Sequence, residues 1–169
     1  MKKIKITGKR NVDSFKEKNT RTRNTKFNDK LLDKNKHQNF INMLFLNEKF
    51  EDDHVLKREL INKINGYKSQ DKKKKILNET TVINYEELIE KLVISKLRCY
   101  YCKGDCLLVY NKVLEKKQWT LDRLNNDLGH SNDNVVISCL ECNLKRRTMN
   151  ENDFKFIKQM KIIKKDNNE

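Results

Sequence analysis

Cys99-Tyr100-Tyr101-Cys102 and Cys139-Leu140-Glu141-Cys142 form two C-x-x-C knuckles separated by thirty-six residues. Two intervening residues let both sulfurs of a knuckle converge on one ion, and four thiolates close a tetrahedral zinc site. Such a site supplies folding free energy to a small, charge-rich domain through ligation. The alternative is two unrelated pairs of buried thiols. Cys106 is the odd cysteine, expected to pack or to stay free. The segment between the knuckles is longer than that of an ordinary zinc ribbon, so something is built inside it. It holds Trp119-Thr120-Leu121-Asp122-Arg123-Leu124, then Gly129-His130, then Asn134-Val135-Val136, and Asn143 directly follows the last cysteine. Carboxylate and carboxamide oxygens are ligands for hard divalent cations, and imidazole exchanges protons near neutral pH.

The elements that must position these residues are read from periodicity. Residues 107–110 are a candidate strand. Residues 119–124 alternate and read as another, residues 125–134 are rich in Asn, Asp and Gly and read as a loop, and residues 135–137 are a short buried strand. Ser138 and Glu141 form a capping-box pattern, which predicts a helix from about Cys139 through Arg147. Upstream, Phe40, Ile41, Leu44 and Phe45 fall at helical spacing and predict a helix over 38–49. Val55, Leu56, Leu60, Ile61 and Ile64 form a second stripe, with Asp53 as N-cap and Gly66 just past the C-terminus. Residues 69–75, with four consecutive lysines, read as a solvated connector. Asn84 and Glu87 suggest a capping box for a third helix, whose apolar face (Leu88, Ile89, Leu92, Val93, Leu97) delivers the chain to Cys99. A last helix is expected over 152–163, with Phe154, Ile157, Met160 and Ile163 on one side. His37 and His54 fall on the upstream helices and are expected at the surface. The fold class is therefore α+β: a basic, flexible arm over 1–36, a helical region over 37–98, a cysteine-stapled core over 99–149 and a closing helix and tail over 150–169.

The 169 residues carry a formal net charge of +14, with 37% charged and 36% hydrophobic residues and no proline. Residues 1–50 hold 14 basic against 5 acidic side chains, whereas residues 51–98 hold 11 against 9 and residues 99–169 hold 13 against 10. Polyanions are the natural partners of such a surface. No apolar stretch follows the basic start, as a secretory signal requires, and no run approaches the roughly eighteen apolar residues of a membrane span. Five cysteines cannot all pair within one chain. A reducing compartment, cytoplasm or nucleus, is expected, and there a double C-x-x-C pattern reads as zinc before disulfide.

Residues 99–149 resemble the HNH endonucleases, the zinc-knuckle branch of the ββα-metal (His-Me finger) nucleases. The resemblance is carried by Leu121-Asp122-Arg123-Leu124-Asn125-Asn126, Gly129-His130, Asn134-Val135-Val136-Ile137-Ser138-Cys139 and Cys142-Asn143-Leu144-Lys145-Arg146. It implies metal-dependent hydrolysis of phosphodiester bonds, with DNA favoured over RNA as substrate, leaving a 5′-phosphate, and a structural zinc on Cys99, Cys102, Cys139 and Cys142. It further implies a catalytic Mg2+ or Mn2+ held by Asp122 and Asn143, and Asn134 orienting the loop or the catalytic histidine. A homodimer would suit double-strand cutting. The chain departs from the pattern at Arg123, which stands where the base histidine is usual and cannot take a proton; it could clamp the scissile phosphate. His130 is then the candidate displaced base, or a loop histidine bonded to backbone or substrate, and a metal-bound hydroxide needs no protein base. Lys145, Arg146 and Arg147 could track the phosphate backbone, or form a solvated helix end. A non-catalytic zinc module that binds nucleic acid is the alternative reading, and a protein-interaction zinc domain ranks last.

Overall fold

The computed structural model describes residues 21–23 and 27–160. Among the described residues six α-helices and two strands follow one another: α1 (Asp29–Leu32), α2 (His37–Phe45), α3 (Asp53–Lys74), α4 (Tyr85–Ser95), β1 (Trp119–Arg123), β2 (Val135–Cys139), α5 (Leu140–Arg146) and α6 (Glu151–Gln159). The chain is mixed α and β, with one two-stranded antiparallel sheet among the described residues. β1 and β2 pair from Trp119 opposite Cys139 to Arg123 opposite Val135. α2 packs on α4, α4 on β2, and α5 on both strands.

α3 is the element that sequence reading cut short. Its buried stripe runs Leu56, Leu60, Ile64, Tyr67, Asp71, so the helix continues past Gly66 into the lysine run. A glycine inside a helix costs about 1 kcal/mol relative to alanine, too little to stop one whose face is packed. Burying each of the three aliphatic residues contributes about 1.5–3 kcal/mol. Lys72, Lys73 and Lys74 form the last turn, where the helix dipole favours cations, and Lys75 ends it in the left-handed region with φ 60°. The lysines are therefore helical, not a connector.

Other boundaries moved for local reasons. Phe27 and Leu31 are buried and Asn28 caps α1, its side chain accepting the Leu31 N–H at 2.8 Å. Thr22 bridges Lys112, and the Arg23 N–H donates to the Asn111 carbonyl at 2.8 Å. The described part of the supposed arm is thus docked; residues 1–20 and 24–26 lie outside the described residues. His37 is 2% exposed rather than at the surface. Its Nδ1 accepts from the Leu108 N–H at 3.2 Å and its Nε2 donates to the Leu31 carbonyl at 3.0 Å, which fixes a neutral ring. Burial lowers its pKa further. Residues 107–110 form no strand: Leu107 makes a single bridge to Gln118, and the segment is spent on the Trp119 indole, whose Nε1 donates to the Leu108 carbonyl. α6 ends at Gln159, with Phe154 buried and Phe156 and Ile157 exposed; Ile163 lies outside the described residues. The Asn84–Glu87 capping box forms in both directions, at 2.9 Å each way.

Candidate metal centre and the polar clusters beside it

The two knuckles meet. One sulfur from each of Cys99, Cys102, Cys139 and Cys142 lies within 4.8 Å of all the others. Tetrahedral zinc with bonds of about 2.3 Å needs sulfurs roughly 3.8 Å apart, so the cluster could hold a structural metal ion such as zinc. Its proton chemistry fits that charge. A hydrogen bond from the Cys139 thiol holds Cys99 below the usual thiol range, and the same contact pushes Cys139 up. Crowded sulfurs cannot all lose their protons together unless a cation balances them. Cys106 is buried in the core outside this cluster. The sulfur of Cys139 also accepts the Cys142 N–H at 3.4 Å, capping α5. The expected Ser138–Glu141 capping box does not form, because Ser138 lies within β2 and its hydroxyl sits 2.9 Å from that of Thr120.

A pleated strand sends successive side chains to opposite faces, and β1 uses this to separate the residues that the resemblance groups together. On one face lie Thr120 and Asp122. Asp122 accepts from the Tyr101 hydroxyl at 2.6 Å and from Arg146 Nη1 at 3.0 and 3.1 Å. Arg146 Nη2 donates to the Leu124 carbonyl at 2.9 Å, while its Nε is buried without a partner. Asp122 is 5% and Arg146 2% exposed. Burial pushes the Asp122 carboxyl above its ordinary range, against the opposing pull of Tyr101 and Arg146. Asn143 lies beside this cluster, its Nδ2 donating to Thr120 Oγ1 at 3.1 Å.

On the other face Arg123 turns toward the 125–134 loop. Its Nη1 donates to the carbonyls of Asn126 and Leu128, both at 3.1 Å, and lies 3.9 Å from Asp71 on α3. Asp71 is fully buried and takes hold of His130 twice, accepting the backbone N–H at 2.6 Å and facing ring Nδ1 at 2.7 Å. The Tyr67 ring packs on the imidazole with centroids 4.6 Å apart, and its hydroxyl accepts the Leu121 N–H. Burial lowers the His130 pKa, outweighing Asp71, which raises it. Asn134 pins the loop from within: its Oδ1 accepts the Asn125 N–H, and its Nδ2 donates to the carbonyls of Asn125 and Gly129. At Gly129 a Cβ would lie 2.8 Å from the Ile76 carbonyl oxygen, so the seam between loop and α3 has no room for a side chain there.

The expected site residues therefore divide. Asp122 and Asn143 address the α5 side of the hairpin, whereas Arg123, His130 and Asn134 belong to the loop cluster, and the two groups share no hydrogen-bond partner. At the Asp122/Asn143 pair the carboxylate is engaged by Arg146 and Tyr101, and the Asn143 amide nitrogen donates to Thr120, so a divalent ion, which takes oxygen ligands, would have to displace Arg146. Of the three cations expected on phosphate, Arg146 is inside the protein, neutralising Asp122. Lys145 pairs with Glu141 at 2.6 Å, and Arg147 is exposed. Sequence reading missed Tyr67, Asp71 and Tyr101. The first two were visible as the continuation of the Ile64 stripe at i+3 and i+7; nothing in the knuckle marked Tyr101.

No family model, curated protein or solved structure matches the chain. Among the described residues no helix is long and apolar enough to cross a membrane.

Proposed function

We propose that this chain is a nucleic-acid-binding protein on a zinc-stapled ββα scaffold of HNH type, in which an arginine stands in for the catalytic cation. The observation that carries this reading is the contact of Arg146 with both oxygens of Asp122, deep in the core. A guanidinium there supplies the counter-charge that a divalent ion would supply, and it is covalently part of the chain. Removing one member of a buried ion pair costs about 3–5 kcal/mol, so an incoming cation would have to offset that much. Arg123 supports the same reading, since its donors already serve two loop carbonyls. The formal charge of +14 directs the surface to polyanions.

The test is fluorescence anisotropy with labelled single-stranded and duplex DNA and RNA across a salt series. Binding is expected at low salt, with the logarithm of affinity falling linearly against the logarithm of salt. Absence of binding at about 50 mM salt would overturn the proposal.

One observation favours the metal-dependent DNA endonuclease as a second reading. Asp71 at Nδ1 of His130 is the arrangement that fixes the tautomer of a general base and leaves Nε2 as the acceptor. Plasmid nicking with Mg2+ or Mn2+ separates the two readings. Cleavage by the wild type that disappears in both Asp122→Ala and Asn143→Ala would establish the enzyme.

A further inference from the structure

Beside the Asp122 cluster a groove of about 460 Å3 opens between α3 and the β1–α5 layer. The α3 wall is built by one stripe. Asn62, Gly66 and Gln70 recur every four residues and so lie above one another on one side of the helix. Gly66 leaves open space, since nothing lies within 4 Å of where its Cβ would be. Opposite stand Gln118, Thr120 and Asn143, and Leu144 on α5 is 60% exposed. Gln118 is the decisive residue. It is only 8% exposed, lines the groove, and its side-chain amide has no hydrogen-bond partner among the described residues. An amide left unpaired at the wall of a groove is free to bond a group placed there.

The donor set defines the ligand class. The carboxamides of Asn62, Gln70 and Gln118 offer donors and acceptors without net charge, while Asn143 and Thr120 are engaged with each other and Thr120 with Ser138. The lone lysine of the groove, Lys63, is engaged by the Trp119 carbonyl and ring face, and Glu59 lines the same wall. A phosphate is poorly served there. A flat heterocycle with donors and acceptors on its edge and apolar faces is well served, because carboxamides pair with base edges in two-point contacts. Beyond Gln70, Lys73 and Lys74 fall three and four residues further along the same side of α3, where they could meet the phosphates of a strand.

We infer that this groove is a site for an unpaired nucleobase, read by the amides of Asn62, Gln70 and Gln118. The inference rests on the nucleic-acid reading above and names its substrate class: single-stranded segments or extruded bases, whose edges are free to be read.

The test uses the full, zinc-loaded chain and two labelled strands of equal length, one oligoadenylate and one of abasic spacers. The wild type should bind the base-bearing strand about tenfold more tightly. Asn62→Ala and Gln70→Ala, both at exposed positions that leave folding intact, and Gln118→Leu should reduce that preference while leaving affinity for the abasic strand unchanged. Displacement of the strand by free adenosine would show that the base alone is recognised; preference without displacement would show recognition of a base within a strand. Both support the site. Equal affinity of the wild type for the two strands would overturn the inference and leave the parent proposal standing, as would variants that lose both strands equally. Absence of binding to either strand would overturn the parent proposal.

Discussion

On one face of β1 a carboxylate meets a guanidinium wholly within the cysteine-stapled core, Asp122 with Arg146; on the other, Asp71 reaches in from α3 to hold His130 and stand near Arg123. Both clusters are buried, and both place an acid against nitrogen donors. They differ in what they join. The Asp122 cluster ties β1 to α5 and, through Tyr101, to the first knuckle, all inside residues 99–149. The Asp71 cluster ties the helical region to the 125–134 loop, across the boundary drawn between two segments of sequence. The helical region is therefore part of the architecture of the core rather than an appendage to it.

The comparison breaks most completely at the metal. Removing the ion with a strong chelator, or changing Cys142→Ser, should unfold the hairpin and α5 together, since structural zinc sites contribute on the order of 10 kcal/mol. Metal analysis should give one zinc per chain, and circular dichroism on chelation should show lost helix; retained structure in metal-free protein would refute the staple. Arg146→Ala is expected to cost about 3–5 kcal/mol in denaturant unfolding by leaving the buried Asp122 without its counter-charge. The double change Asp122→Leu with Arg146→Met should cost less than the single one. Additive losses would mean that the two side chains do not act as a pair.

The other face should respond more mildly and elsewhere. Asp71→Asn keeps the shape but weakens the charge-assisted contacts to His130, at about 1.5–3 kcal/mol. Hydrogen exchange should rise in the 125–134 loop while zinc content stays at wild-type level. Exchange rising equally in α5 would erase the distinction between the clusters.

The smallest effect is that of pH. The pKa values of His37 and His130 are both lowered by burial in the folded chain. The unfolded chain then binds more protons than the folded one as pH falls below the ordinary histidine value of about 6.5. Their contribution is full above that value and is lost progressively as pH falls through it toward the folded values. Melting temperature should drop between pH 7 and pH 5, and less so in His37→Gln. A flat profile would mean that neither ring is held neutral.

What could be read in advance was whatever repeats or chelates. The four cysteines, both strands of the hairpin and the Asn84–Glu87 box declare themselves by spacing alone. The length of α3 did not, because Gly66 and the lysine run are stop signals that tertiary contact overrides: Tyr67 and Asp71 find partners across the molecule and carry the helix on. Arg146 was read as a surface cation because its charge is local information, whereas its burial depends on Asp122, twenty-four residues away. His37 was misplaced for the same reason, since its second partner, Leu108, is seventy-one residues distant.

Cys139 concentrates a consequence of its own. The residue closes β2, caps α5 and supplies one of the four clustered sulfurs. A single oxidation or alkylation of that atom would end a strand, uncap a helix and open the ion's cage in one event. Damage there has no partial form, and the chain would report it as abrupt loss of the whole hairpin rather than as gradual weakening.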